Sequence, residues 1–139
     1  MEFTKMHGIG NDYVYVNCLD TKLDNPSETA VRVSDRHFGI GSDGLILIKP
    51  SDKADFYMEM YNADGSQGKM CGNGIRCVGK YLYDNDIVKK EEMTIETLSG
   101  IKKLSLFRQN GEIKFAKVDM GKAILEAKAV PVLIDEEKV

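Results

Sequence analysis

The chain has 139 residues, 42% of them hydrophobic and 29% charged, the size and composition of one soluble globular domain rather than a disordered chain. Its net charge of −3 offers no basic footprint for nucleic acid, and no apolar run approaches the roughly 20 residues of a membrane helix. The N-terminus lacks a signal-peptide core, so the expected location is the cytoplasm, where three cysteines read as free thiols rather than a disulfide framework.

In chain order, "EFTKMH" and "YVYVN" read as strands on either side of a "GIGND" turn. "DNPSETAVRVSDRHFG" carries helix signals: Asn25 as N-cap, Pro26 at the first helical position, Glu28 at the third and Gly39 as the stop. Ala30, Val33 and His37 share one face of that helix. "GIGSDG" is a glycine-rich loop and "LILIK" a buried strand. In "ADFYMEMYN" the alternation puts Phe56, Met58 and Met60 on one face and Tyr57, Glu59 and Tyr61 on the other. "NADGSQGKM" is a loop with a turn at Asp64-Gly65.

Beyond it, Ile75, Val78 and Leu82 recur at i, i+3, i+7 and predict a helix over roughly Gly72 to Tyr83. "MTIETL", "IKKLSLF" and "EIKFAKV" predict three strands, with turns at Ser99-Gly100 and Asn110-Gly111. The C-terminal "AILEAKAVPVLIDEEKV" reads as a further extended stretch, its Pro131 marking an edge or a bulge. The order ββα-ββα-βββ-β, with strands joined mostly by tight turns, excludes a doubly wound parallel sheet. It predicts an α+β fold: a curved, mostly antiparallel or mixed sheet wrapped around a helix.

The stretch that carries chemistry is "KMCGNGIRC". A thiol at the start of a helix sits among unpaired backbone N–H groups at the positive end of the helix dipole. Such sites lower a cysteine pKa from about 8.5 to roughly 3.5–7.5. Gly72 and Gly74 let an anion approach the backbone, and Asn73 adds a neutral amide. Cys71 beside this cradle suits proton transfer at a carbon next to a carboxylate, where enolate-like charge develops. A lone cysteine before a glycine turn is more often inert than catalytic, and the full string together with the "NADGS" segment upstream raises the odds of catalysis. Cys18, at a strand end, and Cys77, on the buried side of the helix, read as structural.

Other stretches exclude more than they include. "GIGSDG" matches G-x-G-x-x-G but follows a helix and precedes a strand, the reverse of a dinucleotide loop. Cys71 and Cys77 are too far apart for a metal-binding pair, and His7 and His37 are not at ligand spacing, so no metal is expected. Asn11 in "HGIGNDY" reads as a turn former or a substrate ligand, the first being stronger from that stretch alone.

"KMHGIGNDYV", "RHFGIGSDG", "NADGS", "CGNGIRC" and "VDMG" occur in this order across most of the chain, and together the sequence resembles diaminopimelate epimerase. Related racemases of the proline racemase type usually carry a histidine where this chain has Asn73. A phenazine-pathway isomerase of the same fold does not depend on the thiol. The resemblance implies a half-barrel domain, one of two similar ones, and interconversion of L,L- and meso-diaminopimelate for lysine and peptidoglycan precursors without pyridoxal phosphate, metal or other cofactor. One cysteine removes the α-proton as thiolate; a second delivers a proton to the opposite face. Carried over by position, Cys71 is the first thiol, and Gly72 and Asn73 bind the reacting carboxylate. Asn11 and Asn62 contact the substrate's distal end or its surroundings, while Asp64 and Arg76 hold the loop and the helix. Some members carry Gln where this chain has Gly44, which can contribute only backbone.

Full members of that family are about twice this length, and this sequence holds one thiol motif. The expected division is residues 1–120 as the first domain and residues 121–139 as the truncated start of the second. The expected partners are the substrate, the missing half with its second cysteine and, through open sheet edges, another copy of the chain. The alternatives are a proline or hydroxyproline racemase half-domain and a non-catalytic carboxylate-binding module.

Overall fold

The computed structural model describes residues 2–8, 11–69 and 72–119. Eight strands and two helices follow in the order β1 (Thr4–Gly8), β2 (Asn11–Asn17), α1 (Pro26–Ser34), β3 (Gly44–Lys49), β4 (Phe56–Asn62), β5 (Gln67–Gly68), α2 (Gly72–Asp84), β6 (Glu92–Thr97), β7 (Gly100–Gln109) and β8 (Glu112–Asp119). All eight strands join one sheet in the order β1-β2-β3-β4-β6-β7-β8, with the short β5 paired to β4. The sheet is mixed: β2 and β3 run parallel, as do β4 and β6, and the remaining pairs are antiparallel.

The sheet curls because of what α2 touches. Six strand spacings of about 4.8 Å separate β1 from β8, roughly 29 Å if the sheet were flat. A helix is only about 10–12 Å wide, yet α2 packs against β1, β2, β7 and β8 together. The sheet therefore wraps around α2 as a half-barrel, the expected fold. Ile75, Val78 and Leu82, all fully buried, face an inner cluster with Tyr15, Ile46, Ile48, Met58, Ile95 and Leu104. The smaller α1 covers the outer face, where Ala30 packs with Val14, Val16, Leu45, Leu47 and Tyr61. Each central strand thus sends odd and even residues to different cores, as the pleat requires; in β3 both sets are apolar because both faces are covered.

Local differences from the sequence reading have local causes. Helix α1 ends at Ser34, not at Gly39. Asp35 Oδ1 accepts hydrogen bonds from the backbone N–H groups of His37 (2.8 Å) and Phe38 (3.0 Å), and this turn out-competes another helical turn. His37 is therefore exposed in a turn rather than on a helix face. The chain then folds back, and Gly41 and Ser42 donate to the carbonyls of Val33 and Ser34, sealing the helix end. At the other end Asn25 occupies the N-cap in a left-handed conformation (φ 52°) and makes no side-chain cap bond. The "NADGS" loop closes a short hairpin, with β5 pairing back onto Met60 and Tyr61. The Asn110-Gly111 turn has both residues at positive φ (56° and 83°), as a two-residue hairpin of that composition requires. The stretch 121–139 and the expected boundary at Met120 lie outside the described residues.

Candidate functional site

The polar residues singled out by the sequence gather at one end of the sheet, on the face that holds α2. Tyr13 and Tyr15 of β2 belong to the inner cluster, so Asn11, two residues before Tyr13, lies on the same face. In β4 Met58 and Met60 are inner, which puts Asn62 there too. Gly44 starts β3 between them and is paired with Asn62. In β1 Gly8 is paired with Asn11. A Cβ added to Gly8 would lie 3.2 Å from Asn73 Cβ and 3.3 Å from the Asn73 carbonyl, so the bare glycine lets the first turn of α2 approach the sheet. Asn73, Asn11 and Asn62 thus form a row running from α2 across the ends of β1, β2 and β4.

Gly44 leaves the middle of that row without a side chain. A Cβ there would stand 2.2 Å from the Tyr61 carbonyl and 3.0 Å from the Tyr13 ring, so position 44 contributes backbone alone. Gly72 opens α2, and a Cβ on it would meet nothing within 4 Å. No packing among the described residues requires its bareness. Cys71 lies outside the described residues, as do Ile9 and Gly10.

Hydrogen bonds fix each loop. Asn11 Nδ2 donates to the Tyr13 hydroxyl (3.3 Å) and to Asp43 Oδ2 (3.4 Å). Asn62 Nδ2 donates to Ser66 Oγ (3.0 Å), whose own hydroxyl donates to Asp64 Oδ1 (2.6 Å). The Ser66 hydroxyl and backbone N–H together hold Asp64 below the usual carboxylate range. Ser27 of α1 donates from Oγ to the Gly65 carbonyl at 2.6 Å, which docks this hairpin onto the outer helix. Asn73 Oδ1 accepts from Arg76 Nη1 at 3.0 Å, while Arg76 Nε is buried with no hydrogen-bond partner among the described residues. The Tyr15 hydroxyl donates to the Gly74 carbonyl (3.2 Å), tying the first turn of α2 to the sheet.

Behind this row, on the outer face, stands a charge cluster that sequence reading did not single out. Arg36 grips Asp12 with both terminal nitrogens (2.8 and 3.3 Å) and reaches Asp43 at 3.2 Å, and Lys5 pairs with Asp12 at 3.2 Å. Asp43 Oδ2 also accepts from the Asp12 backbone N–H (3.1 Å), and the Asp43 N–H donates to the Asp12 carbonyl (2.7 Å). The Arg36 hydrogen bond, helped by Lys5 and opposed by burial, holds the Asp12 carboxyl far below its ordinary value. "RHFGIGSDG" and "GNDY" contain all the partners except Lys5, but only long-range pairing brings the two segments together.

The other two cysteines stand apart. Cys18 follows the far end of β2, roughly 20 Å of strand from Asn11. It is buried, and that burial pushes its thiol pKa up. Cys77 is buried in the inner cluster. A cavity of about 630 Å³ lies near Cys18 at that far end, lined by Phe3, Asn17, Lys22 and Tyr81 among others and by none of the candidate residues. Among the described residues no group of three His, Cys, Asp or Glu could hold a metal ion, and no helix is long and apolar enough to cross a membrane.

Chemically, the row offers neutral amides and backbone N–H groups to a small polar ligand, with no net charge of its own. The family model described as diaminopimelate epimerase matches residues 3–126. The diaminopimelate epimerase of Acetivibrio thermocellus is 59% identical over 137 residues, covering 99% of this chain and 49% of that protein. The chain spans about half the length of the curated relatives it matches. Among solved structures, a Bacillus anthracis phenazine biosynthesis protein superposes with a TM-score of 0.61 at 20% identity, covering 81% of this chain and 39% of that one. An Agrobacterium vitis hydroxyproline epimerase gives a TM-score of 0.60 at 13% identity, covering 84% and 40%. These two likenesses show the shared fold.

Proposed function

The chain belongs to the diaminopimelate epimerase family, and from that premise we propose that it supplies one half of a site interconverting L,L- and meso-diaminopimelate by proton transfer at the α-carbon, in the cytoplasm and without a cofactor. In this reading Cys71, as thiolate, takes the α-proton. The electron pair left on carbon delocalises into the adjacent carboxylate, and a thiol from the remaining half of the protein returns a proton to the opposite face. The carboxylate rests on the Gly72 and Asn73 side of the row. The nearest N–H groups at the start of α2 and the Asn73 amide meet charge that grows in the transition state. Asn11 and Asn62 engage the rest of the substrate.

The observation that carries this reading is the convergence of Asn73, Asn11 and Asn62 on one end of the inner face, beside the helix that Cys71 precedes in sequence. A neutral row suits a zwitterion, which brings both charges itself. Residues 1–120 act as the first domain and the following stretch begins the second. The free edges of β1 and β8 in the described sheet suit completion by further chain or self-association.

The test is proton exchange in D₂O followed by mass spectrometry of recovered diaminopimelate. The protein extended by the half its relatives carry should interconvert the isomers with deuterium incorporated at the α-carbon, and Cys71→Ala should abolish the interconversion. The 139-residue chain alone should not turn over. Turnover by the isolated chain, or undiminished interconversion by Cys71→Ala, would overturn the two-thiol reading.

A further inference from the structure

The three asparagines are not equivalent, because each amide is held by a group that fixes its polarity. Asp43 is a carboxylate and can only accept, so the NH₂ of Asn11 must face it. The Ser66 hydroxyl proton is committed to Asp64, so Ser66 can only accept from Asn62, and the NH₂ of Asn62 must face Ser66. Arg76 can only donate, so the Asn73 oxygen must face Arg76. Turning any one of these amides over would replace a hydrogen bond by a contact between like poles. Among the described residues, the uncommitted ends therefore differ. Asn11 and Asn62 present carbonyl oxygens, and Asn73 presents its NH₂ beside the first turn of α2.

We propose that Asp43, the Ser66–Asp64 pair and Arg76 are positioning residues that orient these amides so that the row reads a zwitterion in one direction: ammonium against Asn11 and Asn62, carboxylate against Asn73. This deepens the epimerase reading and rests on it for the identity of the ligand. Arg36 braces the arrangement from behind, since it ties Asp43 to Asp12 and leaves Asp43 Oδ2 to Asn11 and the Asp12 backbone.

The test needs no ligand in its first arm. Asn→Asp is nearly isosteric but removes the donor. Urea unfolding of the 139-residue chain at pH 7 should show Asn11→Asp destabilised, because two carboxylates then face each other. Asp43→Asn in the same chain should recover part of that loss by removing one of the two facing charges, its oxygen staying with the Asp12 backbone N–H. Asn73→Asp should leave stability unchanged or raise it, since Arg76 gains an anionic partner. Any gain should vanish in the Arg76→Met background; a gain that persists there belongs to the helix dipole and would overturn the Arg76 assignment. A neutral Asn11→Asp with a destabilised Asn73→Asp would reverse the polarity and overturn the proposal.

The second arm uses the extended protein with L,L-diaminopimelate. Arg76→Met should lower kcat/KM about tenfold, the loss of one oriented hydrogen bond, and mainly through kcat, because the Asn73 amide meets charge that grows in the transition state. Arg76→Lys should recover part of the loss. An active enzyme whose kcat ignores Arg76→Met would reduce Arg76 to a structural residue. If the wild-type extended protein does not exchange the α-proton at all, the epimerase reading fails while the first arm still decides the amide polarity.

Discussion

On the outer face of the sheet end formed by Gly8 and Asn11, Asp12 is clamped by Lys5 and Arg36, and Arg36 reaches on to Asp43. On the inner face of the same end stand Asn73, Asn11 and Asn62, with no formal charge among them and, among the described residues, one polar end of each amide left uncommitted. The outer charges neutralise one another, so they act as scaffold. The inner amides are each anchored by a hydrogen bond, as the proposed ligand-reading row requires. A single β-pleat separates the two arrangements, and Asp43 touches both.

The comparison can be broken most severely from below. Ile46 is fully buried in the inner cluster, on the strand that separates Asn11 from Asn62. Ile46→Ala should cost about 2–5 kcal/mol, measured by urea unfolding, and should disturb both faces together. A loss under about 1 kcal/mol would mean that the inner cluster collapses to fill the space.

A smaller effect should separate the faces. Arg36→Met should lower stability only modestly at pH 7, the guanidinium being half exposed. Because the folded Asp12 pKa is depressed, the stability it contributes is present above its unfolded value, near 4, and is lost as pH falls through the folded value. The gap between wild type and Arg36→Met should therefore narrow on acidification below about pH 4, and a gap independent of pH would assign the effect to packing of the arginine stem.

Ser27→Ala removes the hydrogen bond that docks the Asn62 hairpin on α1 and should cost about 1 kcal/mol. Hydrogen exchange should speed up across residues 62–66 and not at Asn11; a uniform change would show that the hairpin is not separately anchored. The smallest stability effects belong to the inner-face amides. Asn62→Ala, at an exposed position, should shift stability by no more than about 0.5 kcal/mol while impairing diaminopimelate exchange by the extended protein. A large loss of stability there would make Asn62 scaffold, like Asp12.

Much of the architecture was legible in local pattern. The alternation in "ADFYMEMYN" separates the residues of the two cores, and Ile75, Val78 and Leu82 mark the buried stripe of α2. The end of α1 was not legible, because Asp35 stops the helix through its own side chain before the glycine that looked like the stop. The two-residue β5 was missed because pairing over so short a stretch leaves no periodicity to read.

Of the candidate site, the sequence by itself determined which residue types are present and in what order: the thiol before two glycines, the three asparagines and the family to which these strings belong. Only the tertiary structure decided that Gly8 would let Asn73 approach the sheet and that Asp43 would reach back to Asn11 and Asp12. The physical reason is range. Propensity and periodicity act over a few residues, whereas the polarity of an amide is set by whichever donor or acceptor the fold brings within about 3 Å of it, and for Asn11 that partner is 32 positions away in the chain.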